Sequence, residues 1–191
     1  MSNSDSHLQI REIKASNTKC DESAPGYKQD VAFMQRAFEL AKQADALNEI
    51  PVGAVLVDPN GTIIGEGFNQ SIHLNDPSAH AEMLAIREAG QATNNYRLLD
   101  CTLYVTLEPC PMCAGLLVHS RIKRLVFAAP DSKTGASGSV FNLVANTHLN
   151  HHVEVTSGVL AEQASDMISQ FFKRRRAEKK ALKKVQQAQS E

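Results

Sequence analysis

Apolar positions along this chain switch between helical and strand periods, and the switches divide it into elements. Residues 1–28 are polar with no sustained period, and read as a disordered arm. From Asp30 the pattern changes. Val31, Met34, Phe38 and Ala41 recur at spacings of three and four, one face of an amphipathic helix reaching about Leu47, with Asp30 placed to cap it. Residues 51–57 (PVGAVLV) and 62–69 (TIIGEGFN) are strand-like runs around the turn formers DPNG, which predicts a β-hairpin. A loop to Ser78 leads into AHAEMLAIREAG (79–90), a helix with Gly90 as its C-cap. Leu103, Val105 and Leu107 alternate with Thr102, Tyr104 and Thr106, which predicts a strand. EPCPMC breaks that strand, AGLLVHS forms a short helix, and residues 124–129 form another strand. Turn formers fill residues 130–139, and 152–156 make a weaker strand. Leu160, Ala164, Met167, Ile168 and Phe171 then mark a last helix.

This order predicts an α/β domain whose central sheet is covered by helices. A chain of 191 residues holds one such domain with a full core and hardly two. The expected division is an arm over 1–29, a domain over 30–172 and a basic helical tail over 173–191. Residues 173–184 carry eight basic side chains and a single acid, Glu178, while the whole chain is at −1. The body is therefore acidic and the tail strongly basic. That asymmetry suggests a polyanionic partner, and a solvated helical tail is the plainer alternative. No apolar run approaches the roughly 18 residues that would span a bilayer, and the N-terminus lacks the apolar segment of a secretory leader. No membrane partner is expected, and the cytoplasm is the expected compartment. The chain has no Trp, which argues against a broad stacking platform for long single strands.

Chemistry concentrates in two short stretches. His80-Ala81-Glu82 opens one predicted helix, and Pro109-Cys110-Pro111-Met112-Cys113 lies where a strand gives way to another. An imidazole and two thiolates are good zinc ligands, and three protein ligands leave a fourth tetrahedral position for water. Sulfurs near a helix N-terminus are favoured as thiolates by its amides and dipole. His119, His73 and His148 are the remaining candidates for a fourth ligand, although His119 points away along its own short helix. Glu82, two residues from a ligand, suits a proton shuttle to and from an activated water. A first-turn acid favoured by the helix dipole is the plainer reading of it alone. H-x-E and P-C-x-x-C are each weak alone; together, each at a helix start, they match the signature of zinc deaminases. Cys101 is expected in the core, Cys20 as an incidental thiol, His151 and His152 exposed, and Tyr96 and Arg97 in local packing.

Over roughly residues 31–180 the chain resembles the bacterial tRNA-specific adenosine deaminases. The resemblance runs through PVGAVLV, GEGFN, DPSAHAEMLAIREAG, NYRLLDCTLYVTLEPCPMCAG, HSRIKRLVFAAPDSKTGASGS and the basic C-terminal helix. It implies a three-layer α/β/α cytidine-deaminase-like fold with a mixed five-stranded sheet, a homodimer, and one zinc ion per subunit. It also implies conversion of adenosine to inosine at the wobble position of a tRNA anticodon stem-loop, with an arginine acceptor expected. His80, Cys110 and Cys113 match the family's zinc ligands, Glu82 its proton shuttle and Asn69 its base-binding asparagine. Asp131 falls in the loop beside the substrate strand. Two other functions share parts of this pattern: deamination of a free base, for which the basic tail has no purpose, and a non-catalytic zinc-stabilised RNA-binding module, which calls for a fourth protein ligand. If the tail meets phosphates, RNA affinity falls steeply with salt, by at least about tenfold between ~50 and ~200 mM. A flat titration of RNA binding against salt removes the tail from recognition.

Overall fold

Apolar side chains alternate along the strands, and both alternating sets are buried. The computed structural model describes residues 17–188. These form β1 (Asn17–Lys19), α1 (Tyr27–Ala46), β2 (Gly53–Val57), β3 (Ile63–Phe68), α2 (Ala81–Thr93), β4 (Thr102–Leu107), α3 (Pro111–Ser120), β5 (Arg124–Ala129), β6 (Glu154–Ser157) and α4 (Ala161–Ala188). Leu56, Leu103, Val105, Leu125 and Phe127 face Ala85, Ile86 and Leu117 of α2 and α3. Their neighbours Val55, Tyr104, Val126 and Ala128 face Met34 and Phe38 of α1 and Ala164 of α4. The result is helix, sheet, helix, the layered α/β arrangement the alternation predicts.

The sheet has the order β1-β6-β5-β4-β2-β3. β2 is antiparallel to β3 and β4, whereas β4, β5, β6 and β1 run parallel. Six strands replace the expected five because the polar stretch read as an arm supplies β1. Thr18 pairs with Thr156 and the Cys20 N–H donates to the Ser157 carbonyl at 2.8 Å. An edge strand held by main-chain bonds needs no apolar period, so its sequence carried no signal. Residues 1–16 of that arm lie outside the described residues. At the other end α4 continues without a break through residue 173, so core-packing helix and basic tail are one element.

Two expected caps are displaced. α1 begins at Tyr27, and Asp30 is buried in its first turn. There Asp30 accepts from both terminal nitrogens of Arg124 on β5, at 2.8 and 2.7 Å, and from the Tyr104 hydroxyl on β4 at 2.9 Å. It ties a helix to two strands instead of capping. α2 runs past Gly90 and ends on Asn94, which takes the left-handed conformation at φ 50° that Asn tolerates.

The seat of α2 on the sheet sets where His80 and Glu82 stand. A Cβ added at Gly67 would lie 2.2 Å from the Ala81 carbonyl oxygen, and one at Gly65 would lie 2.1 Å from that of Ala85. The first two turns of α2 therefore rest directly on the backbone of β3, and the G-E-G spacing permits it. Gly67→Ala should push the start of α2, and His80 with it, off the sheet. The expected cost is about 1–3 kcal/mol of stability with weaker metal retention. Thermal unfolding and bound-zinc assay on the purified variant check this, and wild-type values in both would show that the close approach does not seat the helix.

Candidate active site

Two helix N-termini meet beside the end of β4. His80 is the N-cap of α2 and Cys110 the N-cap of α3, both with extended backbone (φ −81°, ψ 153° and φ −72°, ψ 171°). Neither side chain makes the usual capping bond to its own helix. They turn towards each other instead, and Cys113 from the first turn of α3 joins them. His80 Nδ1 lies 3.7 Å from Cys110 Sγ and 3.6 Å from Cys113 Sγ, and the two sulfurs are 3.8 Å apart. For bond lengths of about 2.3 Å to sulfur and about 2.0–2.1 Å to nitrogen, tetrahedral angles require S···S near ~3.8 Å and N···S near ~3.6 Å. The donor set therefore fits one zinc ion. His73, His119 and His148 are not part of this group among the described residues.

The electrostatics suit a metal as well. The contact between the two sulfurs holds the Cys110 thiol well below its ordinary range, and the same contact, with burial, pushes the Cys113 thiol up. A cation entering between the two sulfurs displaces thiol protons as it binds. Glu82, in the first turn of α2, is 4% exposed and lies beside these sulfurs; burial raises its carboxyl above the ordinary value.

Asn69 follows β3. Its Oδ1 accepts the N–H of Ala81 at 2.9 Å, so it caps α2 in place of His80. With the carbonyl engaged, the Asn69 amide group keeps its N–H donors for the cavity it lines. That cavity, of about 370 Å³, is bounded by Asn69, His80, Glu82 and Cys110 and by the mouth residues Ile50, Ile72, Asp131 and Thr134. Its size suits one flipped-out base more than a stacked segment. Asp131 lines the cavity, but its carboxylate is turned to its own loop. It accepts from the Lys133 and Thr134 N–H groups at 2.9 and 3.3 Å and from the Thr134 hydroxyl at 2.6 Å.

Sequence reasoning passed over two acids that shape this cavity. Glu49, buried just after α1, accepts the N–H groups of Ile72 and His73 at 2.7 and 2.8 Å. Glu108, buried between β4 and Cys110, accepts three backbone N–H groups of the loop after β5. The signal available was an acid beside an apolar strand end, which by itself says nothing about a loop far along the chain. Among the other expectations, Cys101 is buried in the core. Cys20 is half-buried behind β1, and His151 and His152 are half-buried with ring nitrogens at the carbonyls of Ile122 and Asn146. Arg97 stacks on the exposed Tyr96.

A partly buried His-Cys-Cys donor set at paired helix N-termini, with a buried acid beside it in a base-sized cavity, defines a zinc-binding deaminase site. Residues 27–129 match the cytidine and deoxycytidylate deaminase zinc-binding region, and the chain belongs to that family. It is 60% identical over 154 residues to the tRNA-specific adenosine deaminase of Haemophilus influenzae, covering 81% of this chain and 89% of the relative. It is 49% identical over 156 residues to that of Bacillus subtilis, covering 82% and 96%. A structure solved in studies of A-to-I editing by tRNA:A34 deaminases superposes with a TM-score of 0.69 at 39% identity, covering 71% of this chain and 98% of the other. No helix among the described residues is long and apolar enough to cross a membrane.

The fit predicts one zinc per chain in the purified protein. Cys113→Ser should retain less than about a tenth of it at micromolar zinc, because a lost thiolate costs several kcal/mol of binding. Glu82→Ala should retain it in full. Metal analysis of both variants decides, and a zinc-free Glu82→Ala would make Glu82 a ligand.

Proposed function

We propose that the protein deaminates adenosine to inosine at the wobble position of a tRNA anticodon, with an arginine tRNA as substrate. The observation that carries this is the base-sized cavity running onto the His80, Cys110, Cys113 and Glu82 cluster, in a chain 60% identical to a tRNA-specific adenosine deaminase. His80, Cys110 and Cys113 hold the ion. When bound, zinc supplies the activation of water that nucleophilic attack near neutral pH needs.

The chain's own groups do the rest. Asn69 donates to an acceptor on the flipped base and holds it in the plane of the cavity. Glu82 takes the proton of the attacking water, delivers it to the ring nitrogen beside the carbon attacked, and passes the next proton to the departing ammonia. A raised carboxyl suits that exchange, because the group must hold a proton as readily as release it. Asp131 acts by holding the turn of its loop beside the substrate strand.

Recognition beyond the base rests on the basic tail. Arg174 pairs with Asp45 at 2.7 Å, which anchors α4 to α1, and Arg175 pairs with Glu178. Lys173, Arg176, Lys179, Lys180, Lys183 and Lys184 are exposed and available to phosphates. A homodimer is supported by the apolar groove between α2 and α3, lined by Ile86, Tyr96 and Leu116. A tRNA-processing role would place the protein in the cytoplasm.

Ammonia release and inosine formation on an anticodon stem-loop carrying a wobble adenosine, beside free adenosine, cytidine and guanine, test the reading. Inosine is expected in the RNA alone. Glu82→Ala should lower kcat by about 10²–10⁴-fold, the usual worth of a positioned acid–base group. Turnover of a free base with the RNA untouched would overturn the RNA assignment while leaving the zinc chemistry standing.

A further inference from the structure

Glu108 is 2% exposed, and the four hydrogen bonds its two oxygens accept all come from one loop. Oε1 accepts the N–H groups of Ser137 and Ser139 at 2.9 and 3.0 Å. Oε2 accepts the N–H of Asp131 at 3.0 Å and the hydroxyl of Ser139. The Ala136 N–H adds a link to the Pro109 carbonyl at 2.8 Å. The loop wraps the carboxylate so closely that a Cβ on Gly135 would lie 2.4 Å from Oε2. Asp131 and Thr134 of the same loop form one side of the cavity mouth. The acid is thus joined through Pro109 to the turn that bears Cys110, and through hydrogen bonds to the mouth.

We propose that Glu108 is a positioning residue for RNA capture: it holds residues 131–139 as a preformed wall of the mouth, so that the anticodon loop meets an ordered surface. This rests on the proposed tRNA activity. The opposite wall is built separately. Glu49 holds residues 72 and 73, while Asn69 and Glu82 are set by β3 and α2. Loosening the Glu108 side therefore disturbs binding of the RNA flanks while Asn69 and Glu82, set by other elements, keep their places. The donor set also explains why the residue is an acid. Four N–H and O–H groups converge on two oxygens, and only a carboxylate accepts from all four. Glutamine has the same shape but turns an –NH₂ towards one pair of donors, leaving buried N–H groups facing each other. An ordered wall needs no further ordering when RNA arrives, which is where affinity is gained.

The test is steady-state kinetics on the anticodon stem-loop for wild type, Glu108→Gln and Ser139→Ala, with zinc content and thermal midpoint measured on each. Glu108→Gln should raise KM about tenfold or more, the scale of a lost charge-assisted hydrogen bond, with kcat within about threefold and one zinc retained. Ser139→Ala, which removes one of the four donors, should raise KM in the same direction by about two- to threefold. An unchanged KM in Glu108→Gln overturns the proposal, as does a fall in kcat that tracks lost zinc. Should Glu108→Gln not yield folded protein, Ser139→Ala and Gly135→Ala decide, and wild-type KM in both overturns it. If wild type makes no inosine in RNA, the functional reading fails instead. Hydrogen exchange over residues 131–139 then carries the positioning claim: Glu108→Gln must speed it, and unchanged protection overturns the claim.

Discussion

The site depends on two helices starting at the same place. A zinc ion accepts its donors only at tetrahedral separations, and His80, Cys110 and Cys113 reach those separations because α2 and α3 begin side by side. Each helix is placed by a local rule. Gly65 and Gly67 let α2 lie on the backbone of β3, while Pro109 and Pro111 stop β4 and start α3 within a few residues. The arrangement has a cost, since both N-cap side chains are diverted from their helices. Asn69 offsets it for α2 by accepting the Ala81 N–H from outside, which leaves its own amide donors to the cavity. One residue thereby closes the helix and faces the cavity. For α3 the compensation is electrostatic: helix N-terminal amides favour the thiolates the metal requires.

The features legible in the sequence are those whose geometry is local. The C-x-x-C pair fixes its own two sulfurs within one helical turn, and H-x-E fixes the relation between ligand and acid, so both could be read without any structure. Strand alternation at Leu103, Val105 and Tyr104 was legible for the same reason, because period two decides the face without knowledge of the neighbours. What failed depended on partners far along the chain. Asp30 looks like a cap until Arg124 is found 94 residues away. Glu49 and Glu108 show their roles only once the loops they hold are folded over them. Residues 17–19 form a strand only because β6 offers them an open edge. Asn94 took the helix end from Gly90 although the buried face of α2 stops at Ala89: an exposed last turn runs on until Asn94 adopts the left-handed conformation.

The charge balance of the cavity arises from the same hydrogen bonds. Glu49, Glu82, Glu108 and Asp131 all border it, an arrangement that would repel a polyanion if their charges faced the mouth unsatisfied. Three of them do not. Glu49, Glu108 and Asp131 each accept at least two N–H or O–H donors from the loops they organise, so their fields end largely on those dipoles. The fourth, Glu82, is buried against the sulfurs with its carboxyl raised. The mouth is therefore rigid without presenting four charges. Long-range attraction is left to α4, whose exposed lysines and Arg176 lie on an element anchored to α1 by the Arg174–Asp45 pair. On the proposed function, steering falls to the tail and fit to the mouth: salt weakens the first through screening, whereas the second rests on hydrogen bonds to the buried Glu49 and Glu108 carboxylates, which salt screens far less.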